Sequence, residues 1–234
     1  MVDLIAALAK PEEQAAHKTV VEEIHGELRE DIIVGRLPRG SRLKLEDLRA
    51  RFKVSTSSVR EALTRLIGDA LVTSEGQKGF RVADMSLRDL ADLTHARIHL
   101  ECGALTDSIR LGDDSWEASL VAAFHHLTLA EKRLCSDPED AFEWWELCNN
   151  RFHHALVAAA PSVWLERMRT ILFHNSERYR RLSATQGPIP IGVHQEHERI
   201  FNAAISRNSE AATEALADHL RRAYRTISES GLLA

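Results

Sequence analysis

Residues 48–72 read LRARFKVSTSSVREALTRLIGDALV. A short helical pattern closing at Phe52 meets a turn at 53–55, and a second pattern then opens on four hydroxyl residues in a row, Ser55, Thr56, Ser57 and Ser58. Such residues cap a helix because their side-chain oxygens accept from its free backbone N–H groups. Val59, Leu63, Leu66 and Ile67 follow at helical spacing, so the stretch predicts two helices joined by a tight turn. Upstream, Val20, Ile24, Leu28 and Ile32 recur every four residues until Gly35, Pro38 and Gly40 break the run, which gives a first helix. The second helix is assigned to LKLEDLRARF, residues 43–52. Downstream, β-favouring Val72, Thr73, Phe80 and Val82 flank a Gly-bearing turn at 75–79 and read as a hairpin. Helix, helix-turn-helix and hairpin is the order of a winged helix-turn-helix.

Beyond residue 85 strand signals cease. Apolar spacing predicts helices at 86–111, 115–135, 139–159, 162–182, 192–207 and 209–229, with Asp137 capping the third and Pro138 at its first position. ATQGPIPIG, residues 184–192, interrupts the series. The expected fold is mainly α: a tail at 1–17, a winged helix-turn-helix DNA-binding domain at 18–84, and an all-α helical bundle at 85–234 for effector binding and dimerisation.

Charge separates the same two regions. Between residues 36 and 81 eleven lysines and arginines face five acids, a surplus of six, although the whole chain carries −5. The remainder is therefore strongly acidic, which points to one part that meets phosphate and another with a different task. Three cysteines without CxxC spacing argue against a disulfide framework or a thiolate zinc knuckle, and no segment approaches membrane-spanning length. The start of the chain lacks the basic flank of a secretion signal, so a cytoplasmic location is expected. In a helix-turn-helix the first turn of the second helix meets the major groove, which nominates Ser55, Thr56, Ser57, Ser58 and Arg60 for DNA, with Gln77 and Lys78 at the hairpin tip.

In the helical part, Phe142, Trp145, Phe152, Leu156 and Ala159 form an inward stripe that includes Asn149 and brings His153 alongside, while His154 is rotated about 100° away. His194 and His197 lie one turn apart in the penultimate helix, and His219 falls on the apolar stripe of the last. Inward imidazoles from three helices need partners: a divalent metal satisfies them, and so do bonds to one another, to backbone or to water. Arg97, among Leu93, Leu100 and Ala104, also turns inward, with Glu101 at i+4 as its natural partner.

LRARFKVSTSSVREALTRLIGDALV together with GQKGFRVADMS, residues 76–86, resembles the DNA-binding domain of GntR-family transcriptional regulators. The helical remainder resembles the FCD effector domain of the FadR-like branch, and the likeness spans roughly 18–228. The resemblance implies a homodimer on palindromic double-stranded operator DNA. Relatives commonly carry Arg where this chain has Thr56, so recognition shifts towards Arg60 and Arg49. It further implies a divalent metal, zinc first with nickel or manganese as alternatives, at Asn149, His153, His197 and His219, where Asn149 replaces the family's aspartate. Arg97 with Glu101 is then expected to hold a small carboxylate effector. Tyr179 and Arg180, or Arg178, would hold the far end of a dicarboxylate, and among regulators of this branch the chain most resembles those that respond to glutarate. The function implied is a repressor released by its effector, with an activator or metal sensor as the alternative. A metal-dependent helical-bundle enzyme is the remoter alternative: HQEHE, residues 194–198, has the wrong spacing for the zinc-peptidase motif, and no nucleophile elbow or phosphate loop is present.

Overall fold

A computed structural model describes residues 19–74, 76, 79–186 and 192–233. The tail at 1–17 and the hairpin-tip residues Gln77 and Lys78 lie outside the described residues. The chain divides into two compact units, one reaching Ala83 and the other beginning at Asp84, with Ile33–Gly35 grouped with the second.

The first unit contains α1 (Val20–Ile33), β1 (Arg42–Leu43), α2 (Leu45–Phe52), α3 (Thr56–Gly68), β2 (Val72–Ser74) and β3 (Phe80–Val82). Ile24, Leu28, Leu63, Leu66, Phe80 and Val82 share its core. Lys53 takes a left-handed conformation, φ 55°, that turns α2 into α3. Ser55 then caps α3 by accepting from the Ser58 N–H at 3.2 Å. The antiparallel sheet has the order β1-β3-β2. Here the sequence reading needs correction at its edge: Leu43, assigned to the second helix, lies in β1 opposite Phe80, and α2 starts two residues later. A strand of two residues is too short to show a period of two.

The second unit contains α4 (Leu87–Leu111), α5 (Asp114–Ser136), α6 (Pro138–Val157), α7 (Val163–Gln186), α8 (Val193–Ile205) and α9 (Ser209–Glu229). Ser86, Asp113, Asp137 and Asn208 cap α4, α5, α6 and α9 through their side-chain oxygens. Helix α5 packs on α6, α9 packs on α4 and α8, and α4 packs on α7, around a core that includes Leu105, Leu120, Leu127, Phe152, Leu156 and Leu216. Expected and observed boundaries differ most at α7, which runs four residues beyond 182 because no breaker precedes Gly187. At the α4–α5 corner Trp116 crosses Gly112 so closely that a Cβ there would meet the indole at 2.6 Å. The indole N–H donates to the Ala155 carbonyl at 2.9 Å. Arg207, itself at φ 58°, lies over the ring and donates to the Ile109 and Gly112 carbonyls.

Candidate metal centre and nucleic-acid interface

The inward stripe of α6 buries Cys148, Phe152 and Leu156, which sets His153 at the stripe's margin facing α8 and α9. Those helices contribute His197 and His219, and one ring nitrogen from each of the three histidines lies within 4.8 Å of the others. Each imidazole has a carboxylate at its back. His197 Nδ1 is 2.6 Å from Glu131 Oε1 on α5, His219 Nδ1 is 2.9 Å from Glu196 Oε2 on α8, and His153 Nδ1 is 3.7 Å from Glu101 Oε2 on α4. At His197 and His219 a carboxylate on Nδ1 fixes the proton there and leaves the Nε2 lone pair directed away from it.

Burial holds His153 and His219 well below the usual histidine range, in the neutral form that a metal requires. Burial pushes the Glu101 carboxyl up, but Arg97 first and His153 after it outweigh that effect and keep it well below the ordinary range. His153 Nδ1 and His197 Nε2 are buried without a hydrogen-bond partner among the described residues. An orphan of this kind costs about 1–3 kcal/mol. Two imidazoles oriented by carboxylates, a third with a carboxylate 3.7 Å away, and two unpartnered buried nitrogens among them fit a divalent ion. Asn149, one turn before His153, is buried and lines the same cavity, whereas His154 is half exposed.

The cavity has a volume of about 390 Å³. Arg97 lines it, 4% exposed, giving Nε to Glu101 at 2.6 Å and Nη1 to the Ser176 hydroxyl at 2.8 Å; its Nη2 has no partner among the described residues. Arg180 also lines the cavity, but Nε and Nη2 each bond one oxygen of Glu146 at 2.9 Å. Tyr179, expected beside it, does not line the cavity: its hydroxyl donates to Asp89 Oδ2 at 2.5 Å and accepts from the Ser86 N–H at 3.2 Å, bracing the start of α4. Nor does Arg178, which is buried, line the cavity.

Sequence reasoning missed Glu131, Glu196 and Glu146. Glu131 left a trace, since it falls four residues after Leu127 and three before Leu134 on the buried stripe of α5. One oxygen of Glu131 takes His197 and the other takes His194 Nδ1 at 2.7 Å, so the two histidines spaced one turn apart share a single carboxylate.

On the other unit, Ser55, Thr56, Ser57 and Arg60 are exposed at the first turns of α3, as is Arg49 on α2. The Ser55 hydroxyl also contacts those of Ser57 and half-buried Ser58 at 2.7 and 2.9 Å. The Arg60 guanidinium sits 5.9 Å from the Phe80 ring centre, which ties the helix face to the hairpin.

Residues 20–82 match the bacterial regulatory proteins of the gntR family, and residues 92–222 match the FCD domain. The HTH-type transcriptional regulator BphR of Paraburkholderia xenovorans LB400 is 42% identical over 225 residues, covering 96% of this chain and 92% of its own. The HTH-type transcriptional repressor GlaR of Escherichia coli K12 is 33% identical over 197 residues, 82% of this chain and 89% of its own. The crystal structure of a GntR transcriptional regulator from Rhodococcus sp. RHA1 superimposes with a TM-score of 0.71 at 25% identity, over 89% of this chain and 97% of that one. An α3 face suited to DNA and a bundle built around polar side chains thus sit in a chain that belongs to the gntR family, in its FadR-like branch with an FCD domain: a DNA-binding transcriptional regulator and not an enzyme.

Proposed function

We propose that the protein is a cytoplasmic repressor that binds a palindromic operator as a homodimer and releases it when a small carboxylate enters the histidine-lined cavity. The observation that carries this reading is Arg97: a buried guanidinium lining the same cavity as His153 and His219, with Nη2 lacking a hydrogen-bond partner among the described residues. Guanidinium N–H groups match carboxylate oxygens, and a bound acid satisfies the orphan donor. His153, His197 and His219 would hold the divalent ion, zinc before nickel or manganese, with Asn149 as a neutral oxygen donor beside them. Such an ion supplies a fixed positive centre for an anionic ligand. DNA contacts are assigned to Arg49, Ser55, Thr56, Ser57, Ser58 and Arg60, with Gln77 and Lys78 at the hairpin tip. An acid that binds the operator-free state more tightly lowers DNA affinity, and the operator lowers affinity for the acid by the same factor.

The test is an electrophoretic mobility assay on DNA upstream of the protein's own coding region, with and without small carboxylic acids. Retardation that weakens with salt and is relieved by an acid is expected, with Arg97→Lys blunting the relief. Salt-insensitive or absent retardation would sink the reading.

A further inference from the structure

The cavity is chemically lopsided along its length. Along α6 the lining passes from His153 and Asn149 to Trp145 and Phe142, two to three turns towards the helix start, and along α9 from His219 to Ala223 and Ile227, one and two turns further on, with Arg97 joining the wall from α4. The eight residue steps from Trp145 to His153 span about 12 Å of helix, so this wall is long enough for a ligand with a body as well as a head. Three arginines line the cavity and each meets a glutamate: Arg180 both oxygens of Glu146, Arg222 Glu196, and Arg97 Glu101 through Nε alone. Arg97 keeps a buried guanidinium nitrogen, Nη2, without a hydrogen-bond partner among the described residues. The unsatisfied polar atom near the aromatic end is the indole N–H of Trp145, a neutral donor. A second carboxylate lodged there would be desolvated where the cavity arginines other than Arg97 already hold glutamates, which is strongly unfavourable.

We propose that the ligand of this cavity is a monocarboxylic acid with an apolar alkyl or aryl body, its carboxylate at Arg97 and the histidines and its body running along α6 to Trp145 and Phe142. The inference rests on the carboxylate reading above and narrows it, excluding short diacids such as glutarate as preferred ligands. Its selectivity comes from apolar surface removed from water, which a short diacid cannot supply.

The test is isothermal titration calorimetry on the full-length, zinc-reconstituted protein with acetate, glutarate, octanoate and cinnamate. Octanoate or cinnamate is expected to bind at least about tenfold more tightly than either acetate or glutarate, as buried methylenes or an aryl ring dictate. Phe142→Ala is expected to remove that advantage and leave acetate unchanged. Glutarate binding as tightly as octanoate and cinnamate, or more tightly, overturns the apolar body and leaves the carboxylate reading standing. Failure of all four acids to bind, in protein that still retards its upstream DNA, overturns both.

Discussion

Glu131 holds two imidazoles with one carboxylate, and the orientation of His197 depends on it. Replacing it by Gln keeps the shape but removes the charge that sets the Nδ1 proton, so Glu131→Gln is expected to weaken zinc binding roughly 10–100-fold. Competition against a calibrated chelator measures this, and an unchanged constant would make Glu131 a structural acid only. Asn149→Asp runs the other way. It restores an anionic oxygen beside His153 and is expected to tighten zinc at least about tenfold by the same assay. His153 and His219 were legible in the sequence because polar residues on an apolar stripe stand out, His197 was separated from His194 only by the family resemblance, and Arg97 with Glu101 was legible because i+4 partners meet on any helix. Glu131, Glu196 and Glu146 were not. Glutamate on an amphipathic helix ordinarily faces water, and the Ser176 hydroxyl that takes the Arg97 Nη1 proton lies 79 residues away in the chain.

Among the elements, the α4–α5 corner tolerates least. Gly112→Ala sets a methyl group against the Trp116 indole and the Ser108 carbonyl, at 2.6 and 2.7 Å before relaxation. Trp116 is pinned by its bond to Ala155 and by Arg207 over its ring, so it cannot swing aside cheaply. A loss of about 1–3 kcal/mol is expected. Thermal melting of the variant gives the value, and a melting point equal to the parent's would show that the corner relaxes freely. Ser55→Ala removes the cap of α3 and is expected to cost about 1 kcal/mol, read as a lowered urea midpoint of the DNA-binding unit. Most helices were legible from periodicity and caps, since long amphipathic runs average out single exceptions. Strand β1 was not, because its two residues are defined by pairing with β3, and pairing partners distant in sequence leave no local signal.

At the scale of the whole molecule, an acidic protein carrying −5 overall must approach a polyanion through its basic segment. Affinity for upstream DNA is therefore expected to fall linearly on logarithmic axes with salt, with Arg60→Ala reducing the slope by about 1 if its guanidinium meets a phosphate. Fluorescence-free filter binding across a salt series decides it, and an unaltered slope would remove Arg60 from the phosphate contacts. The succession of a basic winged helix-turn-helix and an acidic bundle was legible from charge and punctuation alone. The cavity within the bundle was not, because it is bounded by α5, α6, α7, α8 and α9 together with Arg97 of α4, and its shape belongs to their packing. One property of that cavity has a practical side. Of the four tryptophans, Trp116 is sealed in the core and hydrogen-bonded, Trp164 is 68% exposed, and Trp145 forms part of the cavity wall with a buried indole N–H that has no partner among the described residues. Indole emission follows the polarity around the ring, so with Trp116, Trp144 and Trp164 changed to Phe the protein would carry a single built-in chromophore in the wall of the cavity proposed for the ligand, and occupancy would be read as a colour shift without any label.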